Sequence, residues 1–220
     1  MKYKSVFDII GPVMIGPSSS HTAGAVRIGK VARDLFNEQP EEIIIHLYGS
    51  FAKTYKGHGT DIALVAGLLH FDTNDQRIKL SLQIAAKKQM KVSFIEEDAI
   101  PDHPNTVKLE LFKGKKSLEV TGISIGGGKI EIIELDQFPL DLSGDGAVIV
   151  ILHYDRYGTI AAVSNILAAH RLNIAQMKVS RQEKAQKALM TIEVDQNISK
   201  ELIIELSKLP NILQVTKINE

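Results

Sequence analysis

The most regular alternation of apolar and polar positions lies after residue 146. Ala147-Val148-Ile149-Val150-Ile151-Leu152 is a continuous, largely β-branched run that predicts a buried strand. Asp155 to Gly158 is a turn. Thr159 to His170 then carries Ile160, Val163, Ile166 and Leu167 on one helical face. Leu172-Asn173-Ile174 leads into a second strand through Met177 and Val179, and residues 181–187 form a charged turn. Ala188 to Val194 is a third strand. Ser199 to Leu209 is a second helix with Ser199 as its N-cap, and Ile212 to Ile218 closes as a fourth strand. The order βαββαβ is that of a ferredoxin-like split unit.

The first part of the chain predicts a mixed α/β domain. His21 to Asn37 repeats Ala25, Ile28, Gly29, Val31, Ala32, Leu35 and Phe36 at near-helical spacing. Ile43 to Tyr48 reads as a strand, Ile62 to about His70 as a helix, and Val107 to Phe112 as a strand. Ile125-Gly126-Gly127-Gly128-Lys129 precedes a strand-like run, Ile130 to Leu135. Ser143-Gly144-Asp145-Gly146 is a turn-rich hinge, giving domains 1–143 and 147–220.

Three polar clusters interrupt this pattern. Gly16-Pro17-Ser18-Ser19-Ser20-His21-Thr22-Ala23-Gly24 sits where a helix begins. The free N–H groups of a helix start carry partial positive charge and suit a carboxylate or phosphate. Tyr48-Gly49-Ser50 is followed by Lys56-Gly57-His58-Gly59-Thr60-Asp61 at a second helix start, and Pro101-Asp102-His103-Pro104-Asn105-Thr106 precedes a strand. Each has a local explanation: the serine run as a helix N-cap within a polar loop, Thr60 or Asp61 as a helix cap, His103 as a turn residue. Together they offer histidine with hydroxyl, amide and carboxylate groups on three loops, which is how α/β sites are commonly assembled. Imidazole changes protonation near neutral pH, and Ser and Thr hydroxyls both donate and accept.

Composition narrows the function. Lys+Arg and Asp+Glu both number 26, so charge points to neither nucleic acid nor a membrane surface. No apolar run approaches the ~20 residues that span a bilayer. Asp8 breaks the opening stretch before a signal sequence could form, which makes a cytoplasmic protein the expectation. The chain contains no cysteine, so it supplies no disulfide and no thiolate ligand.

Two resemblances follow from these residues. The order of elements after residue 146, with Asp155-Arg156-Tyr157-Gly158, Asn173-Ile174 and Met190 to Asp195, resembles an ACT domain. That resemblance implies homodimerisation through paired modules, with an effector amino acid near Gly158, Asn173 and Ile174; a module that only dimerises is the alternative. The three polar clusters, in their order, resemble the β-chain of the iron–sulfur L-serine dehydratases. They are also similar to the allosteric substrate-binding domain of some phosphoglycerate dehydrogenases. The dehydratase resemblance implies conversion of L-serine to pyruvate and ammonia by a complex inactive without its α subunit. A [4Fe-4S] cluster would be ligated by cysteines of that α subunit, not by this chain. It further implies that Ser18, Ser19, Ser20 and Thr22 hold the serine carboxylate and that Thr60 and Asn105 supply hydrogen bonds. Asp61 would orient a neighbour. His58, His21 and His103 would serve in proton transfer or orientation, with His58 favoured as acid–base group. The other reading is a regulatory subunit that binds an amino acid or anion and takes no part in the chemistry.

Overall fold

The structure is a computed structural model that describes residues 12–218, so the opening segment Met1–Asp8 lies outside the described residues. The described residues form two compact units. One runs to Asp136 and takes in Asp141–Gly144; the other comprises Gln137–Leu140 and the chain from Asp145 onward.

In the first unit a six-residue π-helical turn, Ser19–Gly24, runs directly into α1 (Ala25–Phe36). Helix α1 buries Val26, Ile28, Val31, Leu35 and Phe36 along one face, as its spacing requires. It stops at Asn37, which is left-handed at φ 59° and returns its N–H to the carbonyls of Arg33 and Asp34. Strand β1 (Glu42–Leu47) follows, then α2 (Gly49–His58), α3 (Thr60–Leu68), a 3₁₀ turn (Gln76–Leu80) and α4 (Ser81–Lys87). Strand β2 (Lys91–Glu96) returns parallel to β1. Then come β3 (Thr106–Lys113), β4 (Lys116–Gly126) and β5 (Lys129–Leu135), giving this unit a sheet of order β2-β1-β3-β4-β5, and β6 (Phe138–Leu142), whose residues are divided between the two units.

Helices α1 and α3 cross through glycine. A Cβ on Gly29 would lie 2.3 Å from the Leu64 carbonyl oxygen, and one on Gly67 would lie 2.0 Å from that of Val26. Only a side chain of hydrogen lets the two backbones meet. This close crossing packs α1 directly against α3, the two helices that follow the first and second polar clusters.

The second unit is the expected βαββαβ array. Strand β7 (Ala147–Tyr154), α5 (Thr159–Ala169), β8 (Ile174–Arg181), β9 (Lys187–Val194), α6 (Lys200–Ser207) and β10 (Ile212–Ile218) form an antiparallel sheet of order β10-β7-β9-β8. Ile149, Ile151, Met190 and Ile192 of the central strands pack with Val163, Leu167, Leu202 and Leu206 of the helices. Ser199 caps α6 by accepting the Leu202 N–H at 3.1 Å.

The structure departs from the sequence expectations at several elements. The stretch from Gly49 to His58 is a helix, so His58 ends one helix and Thr60 begins the next. Gly59, left-handed at φ 67°, makes the break between them. Strands β2, β4 and β6 and helix α4 add to the expected set. Strand β2 is an edge strand with only β1 beside it and little burial, and β4 carries Gly122 in its interior. Both features blunt the alternation by which strands are recognised.

Candidate active site

The serine–histidine turn is built from local bonds. Ser18 has extended backbone and its Oγ accepts the His21 N–H at 3.0 Å, while its carbonyl accepts the N–H groups of Thr22 (2.9 Å) and Ala23 (3.3 Å). The bond to Ala23 spans five residues and widens the turn into a π-helix, a feature often found at functional sites. The N–H groups of Ser19 and Ser20 have no partner among the described residues. Gly16 lies against the turn, where a Cβ would fall 2.4 Å from Thr22 Cγ2.

The wide turn delivers His21 to the second cluster. Its Nε2 lies 3.0 Å from Ser50 Oγ and its Nδ1 lies 3.4 Å from Ser18 Oγ. Its ring meets that of His58 edge to face, with centroids 4.7 Å apart, and the Phe51 ring at 5.3 Å. The Thr22 hydroxyl donates to the His58 carbonyl at 3.2 Å and fixes the C-terminal end of α2 against the turn. Burial and, secondarily, the positive charge available to His58 lower the pKa of His21, favouring the neutral imidazole at pH 7. The Nδ1 of His58 and the hydroxyl of Thr60 are buried and have no hydrogen-bond partner among the described residues. A buried polar atom left unpaired costs about 1–3 kcal/mol, and the Thr159 hydroxyl of the second unit stands in the same condition.

The third cluster joins through its backbone. The Pro104 carbonyl accepts the Ser50 N–H at 2.7 Å, and a Cβ on Gly49, which sits at φ +55°, would lie 2.7 Å from that oxygen. The side chain of Asn105 donates to the Ser124 carbonyl at 3.3 Å. The His103 ring is turned to its own loop, where Nδ1 accepts the Asn105 N–H at 3.1 Å. No ring contact or hydrogen bond joins it to His21 or His58 among the described residues. The Asp61 carboxylate accepts the N–H of Ile62 at 2.8 Å, and burial pushes its pKa up against that bond. It therefore tightens the start of α3 and touches none of the histidines.

The structure thus groups Ser18, His21, Thr22 and His58, with Thr60 at the adjoining helix start. It attaches Asn105 by way of Ser50 and Ser124. The Ser19 and Ser20 side chains are half-buried on the same turn. Ser50, Phe51 and Ser124 are site residues that the motifs had not singled out for chemistry. Ser124 Oγ donates to the Ser20 carbonyl at 2.9 Å, and only glycine at position 24 clears it, since a Cβ there would lie 2.1 Å away. The Gly49-Ser50 step between a strand and a polar run was their one legible signal.

In the second unit Gly158 is left-handed at φ +82° and leads into α5. Asn173 is bound locally: its N–H donates to the Gln196 side chain at 2.8 Å and its amide donates to Asp195. Ile174 opens β8 opposite Val194.

Iron–sulfur clusters are held chiefly by thiolates, this chain has no cysteine, and no group of three His, Asp or Glu suited to a metal occurs among the described residues. No helix among the described residues is long and apolar enough to cross a membrane.

Comparison with known proteins gives the family. The chain is 62% identical over 218 residues to the probable L-serine dehydratase, beta chain, of Bacillus subtilis (strain 168), covering 99% of each. It is 34% identical over 200 residues to the L-serine dehydratase, beta chain, of Peptoniphilus asaccharolyticus, covering 90% of each. A D-3-phosphoglycerate dehydrogenase of Bacillus subtilis is 26% identical over 199 residues, which is 89% of this chain but 37% of that one. Residues 5–134 match the serine dehydratase beta chain family and residues 147–211 match the ACT domain family. The chain therefore belongs to the serine dehydratase beta chain family and carries a C-terminal ACT domain.

Proposed function

We propose that this chain is the β subunit of a cytoplasmic, heteromeric iron–sulfur L-serine dehydratase that converts L-serine to pyruvate and ammonia. One observation carries the reading: the polar motifs of a dehydratase beta chain converge here on a single place, where His21, His58 and Ser50 meet. The chain lacks thiolates, so the α subunit holds the cluster and this chain is inactive without it. Its own task is to bind and orient. The free N–H groups of Ser19 and Ser20, with the hydroxyls of Ser18, Ser19, Ser20 and Thr22, hold the substrate carboxylate. His58 exchanges a proton with the substrate through the nitrogen that has no protein partner, and His21 supports it. Thr60 and Asn105 supply hydrogen bonds. Asp61 holds the start of α3, and His103 shapes the third loop. The ACT domains pair between two β subunits and place Gly158, Asn173 and Ile174 at an effector amino-acid site.

A second reading is favoured by the match to D-3-phosphoglycerate dehydrogenase. A region shared with an enzyme of different chemistry suits a regulatory site that binds an amino acid or anion and takes no part in catalysis.

The test is serine-dependent pyruvate formation by the complex purified without oxygen through a tag on this chain. Pyruvate formation that follows an iron-containing, cysteine-bearing partner supports the dehydratase. A complex with an intact cluster that makes no pyruvate from L-serine overturns it.

A further inference from the structure

We propose that Ser124 is the positioning residue of the serine turn: its buried hydroxyl anchors the Ser20 carbonyl to strand β4 and so holds the N–H groups of Ser19 and Ser20 where a substrate carboxylate meets them. The inference deepens the dehydratase reading and rests on it for the identity of the ligand, but not for the anchor itself.

Chemistry fixes the direction of this bond. A backbone carbonyl can only accept, so Ser124 Oγ donates its proton to the Ser20 oxygen at 2.9 Å. No titratable group and no choice of tautomer enters. Ser124 is fully buried. Its backbone N–H donates to the Asn105 carbonyl at 3.0 Å, and its own carbonyl accepts the Asn105 side-chain amide at 3.3 Å. One residue of β4 therefore joins the first polar cluster through its side chain and the third through its backbone.

Gly24 shows how closely the strand approaches. Its backbone is ordinary helix, φ −60° and ψ −41°, where most other residues form helix better than glycine does. Ser124 explains the missing side chain: a Cβ on Gly24 would lie 2.1 Å from Ser124 Oγ and 2.9 Å from Ser124 Cβ. The turn that receives this hydroxyl is a wide one. The Ala23 N–H reaches back five residues to the Ser18 carbonyl at 3.3 Å, longer than the four-residue bond from Thr22 at 2.9 Å. Such π-helical turns are rare. The Ser124 bond grips the middle of this one from outside it.

The two parts of the site depend on the anchor differently. Ser20 carries both the anchored carbonyl and one of the N–H groups that receive the carboxylate, so loss of the anchor displaces that group directly. The His21 ring has supports of its own, Ser50 Oγ at 3.0 Å from Nε2 and the Phe51 ring at 5.3 Å. Loss of the anchor therefore weakens substrate binding more than turnover.

The test uses two variants in the complete complex and in the full-length β chain. Ser124→Ala removes the hydroxyl. Ser124→Gly combined with Gly24→Ala moves the crowded carbon from one backbone to the other, where its next neighbour is the Ser19 carbonyl at 3.6 Å. This swap restores the packing but not the hydrogen bond. In both variants KM for L-serine should rise about tenfold, the effect of one ordinary hydrogen bond. The kcat should change little, the signature of lost ground-state binding. Amide exchange of His21, Thr22 and Ala23 in the full-length chain should quicken about tenfold, with the amides of β7 and β9 unchanged. A Ser124→Ala complex with wild-type KM overturns the proposal. So does a swapped complex whose KM returns to wild type, since packing alone would then hold the turn. A lowered kcat at unchanged KM overturns it too, as the mark of a fold partly lost. If Ser124→Ala fails to assemble, the swapped variant decides by the same criteria. A wild-type complex that makes no pyruvate counts against the dehydratase reading instead. Amide exchange then decides on Ser124, and unchanged exchange at residues 21–23 in Ser124→Ala overturns it.

Discussion

Two polar turns of this molecule lead into helices, one at Ser18–Gly24 and one at Asp155–Thr159, and they use their polar groups differently. In the first, His21 reaches Ser50 and Thr22 reaches His58, partners 29 and 36 residues away in the chain. In the second, the partners are as distant in sequence, 26 to 30 residues, but all lie in the one β8–β9 hairpin. Asp155 accepts the Ala185 N–H at 3.0 Å and pairs with Arg181 at 3.1 Å, and Arg156 donates to the Ala185 carbonyl at 2.5 Å. A helix start is therefore not a site by itself. The first turn is the candidate site because loops from three parts of the sequence deliver side chains to the same point. A buried atom without a partner among the described residues does not separate the two turns, since the first has His58 Nδ1 and the second has the Thr159 hydroxyl. The second braces the β8–β9 hairpin.

Breaking the first turn should have the largest effect. His58→Ala in the intact complex is expected to lower turnover at saturating L-serine by about 10²–10⁴-fold, the range of acid–base catalysis. The melting temperature of the chain should fall only by the lost edge-to-face contact with His21, because His58 Nδ1 has no hydrogen bond to lose. Calorimetry alongside the kinetic assay checks both.

Gly49→Ala strikes the geometry rather than the chemistry. The new Cβ meets the Pro104 carbonyl in a left-handed conformation, at a cost of about 1–3 kcal/mol. Thermal unfolding should fall by roughly 2–10 °C for a chain of this size. The same substitution at Gly158 meets nothing within 4 Å and carries only the conformational cost. The difference between the two melting temperatures measures how tightly the first site is packed.

Acidification provides a third test. The folded pKa of His21 lies below its unfolded value near 6.5, so the unfolded state takes up the proton first. Stability is then full above about pH 6.5 and declines as pH falls through that value, and His21→Gln should remove part of the decline. Urea unfolding across pH 5 to 8 reads this directly.

The smallest effect is expected in the second unit. Asn173→Ala removes exposed bonds to Asp195 and should cost about 0.5–1 kcal/mol. The maximal rate should hold while activation by an amino acid shifts, as steady-state kinetics with and without the effector would show.

The same contrast explains what could be read from the chain. The ACT half was legible almost residue by residue, because β7 is a β-branched run and α5 repeats Val163 and Leu167 against it. Its first strand pairs with its last, β7 with β10, so what pattern gives there is the order of elements and not their pairing. In the first half, α1 and its polar start were equally plain, but α2 was not. Its ten residues begin with a glycine at φ +55° and bury only Phe51 and Ala52. The same gap hid Ser50: a lone serine after glycine acquires meaning only when helix formation swings it toward His21. Ser124 was hidden for another reason, since its partner, the Ser20 carbonyl, lies 104 residues away and is a backbone atom. His58 and Thr60 were visible as a motif, but their place at a helix–helix junction depends on the left-handed Gly59.

The most direct measurement is the maximal rate of pyruvate formation at saturating L-serine by the complete complex carrying His58→Ala, set beside the same complex carrying Asn173→Ala. A maximum lowered at least a hundredfold in the first and preserved in the second is the expected result. Preserved maximal rates in both, with only the half-saturating concentration displaced, would contradict a catalytic role for the histidine cluster and make it an effector site.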